Sequence, residues 1–100
     1  MDYGPDFSIY DKPQDRRDHL IILRVAGNLA LAYSSAHPGD KCRIIDNGHE
    51  AQFTHPGHIP IYLGARSIGL YGEDPENEAI AADIAERCLM EGLEISIHHN

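Results

Sequence analysis

The sequence predicts an α+β two-layer domain, in which two helices pack on a mixed sheet of four to five short strands. Three observations support it: a long apolar segment of helical spacing near the start, an Asn47-Gly48 pair between two alternating segments, and a capped helix between two strands near the end. A strand, a helix and a strand in succession predict a crossover between parallel neighbours, so the sheet is expected to contain parallel and antiparallel pairs.

The whole chain, residues 1–100, is expected to form one domain. It is long enough for a single core, and no low-complexity or linker-like stretch divides it. Residues 1–12 place aromatic side chains among Asp, Gly and Pro, which is typical of an extended N-terminal arm or of a first edge strand.

The first residues show no signal-peptide pattern, and no apolar run in the sequence reaches the roughly 18 residues of a membrane span. The sequence therefore predicts a cytoplasmic protein without a membrane segment.

The first helix is predicted from Pro13 to about Ser35. Asp11 is its candidate N-cap, and Gln14, three residues on, completes a capping box. The apolar body of this segment repeats at helical spacing. The shorter stretch 19–25 also suits a strand followed by a turn, and the sequence leaves that alternative open.

One stripe of this helix is strongly apolar, and its neighbouring faces are apolar as well. A helix of this kind needs cover on more than one side, and in a small chain a second copy of the same helix can supply it. The sequence therefore predicts a homodimer through the stripe, whose residues are Ile22, Val25, Leu29 and Tyr33.

A β-hairpin is predicted around Asn47-Gly48, the pair that type I′ turns prefer. A two-residue turn sets Asp46 opposite His49, Ile45 opposite Glu50, Ile44 opposite Ala51, Arg43 opposite Gln52 and Cys42 opposite Phe53. Alternation then places the apolar side chains on one face, and these are Cys42, Ile44, Ala51 and Phe53. The opposite face is mostly polar, so the turn and the pattern support the same hairpin.

Three further strands and a second helix complete the predicted domain. The strands are expected at 59–63, 68–71 and 93–98. The helix has Asp74 as N-cap and Pro75 as its first residue, with acids in its first turn where the helix dipole favours them. Its predicted inner stripe is Ile80, Ile84, Ala85, Cys88 and Leu89.

The charge is strongly acidic: sixteen acids and eight basic residues leave a net charge of -8. From Ser67 onward, eight acids are opposed only by Arg87. Direct nucleic-acid binding is disfavoured, because phosphate contacts need clustered Lys and Arg. The leading hypothesis is a small non-enzymatic interaction protein, an inhibitor or adaptor, that presents an acidic helix surface to a protein partner with a basic surface. The residues of that surface are Glu76, Glu78, Asp83, Glu86 and Glu91.

A cluster of histidines supports a second hypothesis, a small metal-dependent or ligand-binding enzyme. His49, His55 and His58 are candidates to bind a divalent metal such as zinc, joined by Glu50 or Cys42, since these are ligand types that zinc takes. The spacing matches no recognised zinc signature, and histidines beside a Pro-Gly turn are often simply exposed. The leading hypothesis requires no cofactor.

A third hypothesis is a small-molecule sponge or sensor that uses the sheet edge and Arg66. Arg66 and Ser67 lie in a glycine-containing turn that lacks the ending of a P-loop. Cys42 and Cys88 belong to no CxxC pair and are predicted to be reduced core thiols.

Overall fold

The computed structural model describes residues 13–36, 38–39, 41–46 and 51–100. The α+β prediction is confirmed, since two helices pack on a mixed five-stranded sheet. In chain order the elements are α1 (Pro13–Ala36), β1 (Arg43–Asp46), β2 (Ala51–Thr54), β3 (Ile61–Leu63), β4 (Ser67–Leu70), α2 (Pro75–Met90) and β5 (Ser96–His99). The predicted N-terminal arm, residues 1–12, and the Asp11 cap lie outside the described residues.

The sheet follows the order of the chain, β1-β2-β3-β4-β5. Short connections join the first four strands into antiparallel pairs, whereas β5 pairs with β4 in parallel, as predicted for a strand reached through a helix. Helix α1 contacts β1, β2 and β3, and α2 contacts β4 and β5. The two helices therefore cover the sheet side by side and contact each other.

The segment 19–25 is helical, so the strand alternative is wrong. Its buried side chains recur three and four residues apart, and helical spacing brings them onto one side of α1. These buried side chains include Ile22, Val25, Ala26, Leu29 and Ala30. Ala and Leu also have the highest helix propensities, which favours continuation to Ala36. Neither described helix combines the length and apolar character that crossing a bilayer requires.

The pairing of β1 with β2 differs from the predicted register by two residues. Ile44 lies opposite Phe53 and Asp46 opposite Ala51, whereas a two-residue turn would set Ile44 opposite Ala51. Four residues, 47–50, separate the paired ends, and they lie outside the described residues. The predicted inner face is nevertheless correct. Side chains along a strand alternate between the two faces of the sheet, so a register shift of two residues leaves each side chain on the same face. Ala51 and Phe53 are both fully buried.

The core lies between the sheet and both helices. Its largest fully buried apolar side chains are Ile22, Phe53, Ile61, Ile68, Ile80 and Ile84. Burying one such side chain contributes about 1.5–3 kcal/mol relative to leaving it exposed.

Helix α2 buries a slightly different stripe from the predicted one. Ile80, Ile84 and Cys88 are fully buried, as expected, but Leu89 is 60% exposed and Ala85 only half-buried. Leu89 follows Cys88 by about 100° around the helix axis, which carries it off the inner side. Within the described residues neither Cys42 nor Cys88 forms a disulfide, and burial raises the pKa of the Cys88 thiol.

Candidate functional site

The described residues bring two of the predicted histidines together with an acid from α2. Ligand atoms of His55, His58 and Glu76 all lie within 4.8 Å of one another. The two histidines occupy the ends of a four-residue turn, in which the His58 N–H donates to the His55 carbonyl over 3.2 Å. Pro56 and Gly57 are its central residues, and Gly57 has φ 82°, as a type II turn requires. The turn stacks the two imidazole rings, with centroids 4.0 Å apart and planes 4° from parallel.

His55 is buried and its ring orientation is set by Asn77. The Asn77 amide donates from Nδ2 to the Ile59 carbonyl over 2.8 Å, so its oxygen Oδ1 faces the ring. His55 Nε2 lies 2.6 Å from that oxygen and must therefore carry the proton that it donates. Within the described part of the chain, the other ring nitrogen of His55, Nδ1, makes no hydrogen bond.

His58 lies between two carboxylates at the start of α2. Its Nδ1 is 2.6 Å from Asp74 Oδ2, and its Nε2 is 2.9 Å from Glu76 Oε1. Because carboxylate oxygens only accept, the ring can donate to both acids at once only in its protonated, imidazolium form. The arrangement therefore fastens the β2–β3 connection to the first turn of α2.

Asp74 serves both the helix and the histidine. Its Oδ1 accepts from the backbone N–H groups of Glu76 and Asn77, over 3.0 and 3.2 Å, which confirms the predicted N-cap. The pKa of Asp74 is lowered from its ordinary value, first by the hydrogen bond from His58. Partial desolvation opposes this, and the two backbone N–H groups add to it. The carboxylate is thus stabilised in its charged form.

Replacing Asp74 with Ala is expected to lower the free energy of unfolding by about 1–2 kcal/mol near neutral pH, because α2 loses its N-cap. The folded-state pKa of Asp74 lies below that of the unfolded chain, so the charged carboxylate stabilises the fold above the unfolded value. This contribution disappears as pH falls through the folded value. Urea unfolding at several pH values should show the difference between wild type and variant shrinking in acid. Asp74→Asn keeps a capping oxygen and is the control; a difference independent of pH would contradict the assignment.

Three of the five acids predicted to bind a partner already contact a basic side chain of the same chain. Glu76 contacts His58, Asp83 accepts from Arg87 Nε over 2.9 Å, and Glu91 accepts from Arg24. Among the described residues, neither Glu78 nor Glu86 has an ion-pair partner. All of these acids except the half-buried Asp83 are exposed.

A groove of about 550 Å³ runs between α1 and α2 on the side away from the sheet. We call it the outer helix groove; its lining residues are Arg24, Val25, Asn28, Asp83, Glu86, Arg87, Met90 and Glu91. Met90 is 83% exposed, and Leu31 on α1 is 70% exposed. The groove thus combines three of the predicted acids with an exposed apolar side chain.

The residues predicted to form a dimer interface lie mostly inside the single chain. Ile22, Val25 and Leu29 are buried in the core of the single chain, between the sheet and the helices. Tyr33 is half-buried, and desolvation raises its pKa. The exposed apolar side chains of α1 are Leu20 and Leu31 instead. Association of two copies stays a prediction.

Arg66 is engaged by acids of α1. Its guanidinium donates to Asp18 Oδ2 over 2.6 Å and to Asp15 Oδ1 over 2.7 Å. His19 belongs to the same helix, and its ring is fully buried. The ring nitrogen Nδ1 lies 2.8 Å from the carbonyl oxygen of Gly64. These contacts fasten the β3–β4 turn to α1 and pair the charge of Arg66 with two acids.

Sequence reasoning found part of the histidine site and missed part. His55 and His58 converge; His49 and Glu50 lie outside the described residues, and Cys42 is not in the cluster within the described chain. The missed members are Asn77 and the role of Glu76 beside His58. Asn77 follows His55 by 22 residues, and no local pattern connects the two.

Comparisons of this chain with protein-family models, curated proteins and solved structures gave no match. Function is therefore argued from the residues and their geometry alone.

Proposed function

We propose that the chain is a non-enzymatic interaction protein that binds a basic protein partner at the outer helix groove. One observation carries this proposal: the groove brings three acids of α2 together with the exposed side chain of Met90. Exposed apolar surface with a polar rim is typical of protein interaction sites. The site lies on the helix layer, which packs on the sheet.

The partner surface is defined by the chemistry of the groove. Met90 and the nearby Val25 favour an apolar side chain at its centre, while Glu86 offers a carboxylate without an ion-pair partner in the described chain. An amphipathic helix with Leu on one face and Lys or Arg beside it has both features. The net charge of -8 would also accelerate encounter with a basic partner.

The ion pairs at the groove do not prevent such binding. Arg24 with Glu91 and Arg87 with Asp83 are exposed pairs, and exposed pairs contribute little to stability because water screens them. A cationic side chain of the partner can therefore share or replace Arg24 and Arg87 at the carboxylates. Arg24 and Arg87 also repel a partner whose positive charge is spread over its surface and is not placed at the carboxylates of the groove.

The test uses a synthetic amphipathic Leu/Lys helix as the probe and follows backbone amide shifts by NMR. We expect shifts to concentrate at the groove. Glu86→Lys and Met90→Lys are each expected to weaken binding about fivefold or more, as truncation of a central contact does. Glu94→Lys makes the same charge change at an exposed residue outside the groove and is the control. Equal weakening by Glu86→Lys and Glu94→Lys would reduce the proposal to non-specific attraction by net charge.

A second copy of the chain is the competing occupant, and light scattering before the titration distinguishes it. A monomer that binds the probe supports the proposed partner. A dimer that Met90→Lys dissociates would show that the groove is a homodimer interface, which would overturn the proposal of a basic partner.

A further inference from the structure

We propose that His55, His58 and Glu76 bind one divalent metal ion of the zinc type, and that Asn77 and Asp74 orient the two histidines for it. The ligand set is two imidazoles and one carboxylate, with ligand atoms all within 4.8 Å of one another. Zinc takes this set in sites that keep a fourth position for water. The site lies at the first turn of α2, separate from the outer helix groove along residues 83–91.

The strongest support is the second hydrogen bond of each histidine. A metal-binding histidine almost always donates its other ring N–H to an oxygen, which sets the tautomer and aims the free nitrogen. His55 does so from Nε2 to Asn77 Oδ1, and His58 is placed to do so from Nδ1 to Asp74 Oδ2. The nitrogens that would bind the metal are His55 Nδ1 and His58 Nε2, and the latter now contacts Glu76 Oε1.

The third ligand is already beside the second. His58 Nε2 lies 2.9 Å from Glu76 Oε1. Two ligands of one tetrahedral zinc ion, each bonded at about 2.1 Å, lie roughly 3.4 Å apart. The separation of this pair has to grow by about half an ångström, and the ion takes the place of the proton between the two atoms. This change is in addition to the rotation of the His58 ring that the stacking of the two imidazoles requires. Glu76 is 46% exposed, so the ion can enter from solvent.

Because the two imidazole rings are stacked, one of them has to rotate before both can bind the same ion. An imidazole binds a metal in the plane of its ring, and planes 4° from parallel cannot both contain the same ion. His55 is held by Asn77 in a buried position, whereas the His58 side chain is 27% exposed on a turn. His58 is therefore the ring that rotates, and the stack opens when the ion binds.

The charges around the site favour a cation. The N-terminus of a helix carries partial positive charge, which by itself would repel a metal ion. Asp74 and Glu76 bring two carboxylates to that end of α2, and the exposed Glu73 and Glu78 add two more nearby in the sequence. Bound metal would fasten the β2–β3 connection to α2 more firmly than the hydrogen bonds of His58 do alone.

The experiment titrates metal-free protein with Zn²⁺ alone and measures heat, stoichiometry and melting temperature. We expect one ion per chain, a raised melting temperature, and at least about a tenfold loss of affinity in His58→Gln and in Glu76→Gln. The exposed pair at the C-terminus supplies the control, because His98→Gln with His99→Gln removes two histidines elsewhere. Loss of binding in that control, with full binding in His58→Gln, would overturn the proposal.

A second measurement applies to the unaltered chain, in case a variant does not fold. NMR of the histidine ring nitrogens should show zinc on Nδ1 of His55 and on Nε2 of His58. Rings whose nitrogen shifts do not respond to one equivalent of Zn²⁺ would assign the cluster to a metal-free clamp and refute the metal site. Neither result depends on the outer helix groove.

Discussion

Replacing Phe53 with Ala is expected to lower the free energy of unfolding by about 3–5 kcal/mol. Phe53 is fully buried on the inner face of β2, where it lies between Ile44 of β1 and Ile61 of β3. Its ring also packs edge-on against His55, with centroids 5.8 Å apart. The truncation removes apolar burial and leaves a cavity at the centre of the sheet. Because domains of this size are stable by only about 5–15 kcal/mol, much of the variant should be unfolded under mild denaturant.

Urea unfolding measures this loss, and two matched variants define its cause. Phe53→Leu keeps most of the buried volume and should lose clearly less than the Ala variant. Ile45→Ala, at the neighbouring position of β1 but 46% exposed on the other face, should change stability only slightly. If Ile45→Ala were as destabilising as Phe53→Ala, the assignment of inner and outer faces would be incorrect.

Replacing Asn77 with Ala is expected to lower the free energy of unfolding by about 1–3 kcal/mol, because it leaves the buried His55 ring N–H without its acceptor. Asn77 is 2% exposed and joins the His55 ring to the Ile59 carbonyl. Without the amide, the buried His55 Nε2–H loses its acceptor, which is the costly change. The Ile59 carbonyl belongs to a residue that is 48% exposed, so water can replace the hydrogen bond that it loses. This loss of stability is larger than the loss expected when an exposed side chain of a helix is truncated.

The control for Asn77 is the same chemical change at an exposed helical position. Asn28 lies on α1 at the surface, and Asn28→Ala should leave stability unchanged or raise it slightly, since Ala has the higher helix propensity. Thermal or urea unfolding of both variants gives the comparison. Equal effects at Asn77 and Asn28 would mean that the bonds from Asn77 do not stabilise the fold, and would remove the support it lends to His55.

Both predictions concern the contact between the β2–β3 connection and α2. Phe53 supports His55 from the core, Asn77 orients its ring, and Asp74 accepts from His58. The connection is therefore ordered by three separate contacts that converge on the two histidines. This convergence explains why the two imidazole rings are held in one stacked arrangement.

Local sequence patterns were sufficient to predict the helices and strands of the fold. Pro75 after Asp74 marks the start of α2 within a few residues, because a cap and its helix are neighbours in the sequence. Helical spacing likewise identified most of the inner stripe of α1, and alternation identified the inner face of the hairpin. These patterns repeat within one or two turns, so they can be read without knowing what the elements contact.

Sequence by itself determined the fold class, the boundaries of both helices to within about a turn, and which sides of most elements are buried. Only the tertiary structure decided the register of β1 on β2, since registers two residues apart bury the same side chains. It also decided which charges are paired, because Arg66 meets Asp18 across 48 residues and Arg24 meets Glu91 across 67. His55, His58, Glu76 and Asn77 converge for the same reason. Contacts between distant segments depend on how whole elements pack, and no local pattern in the chain records that packing.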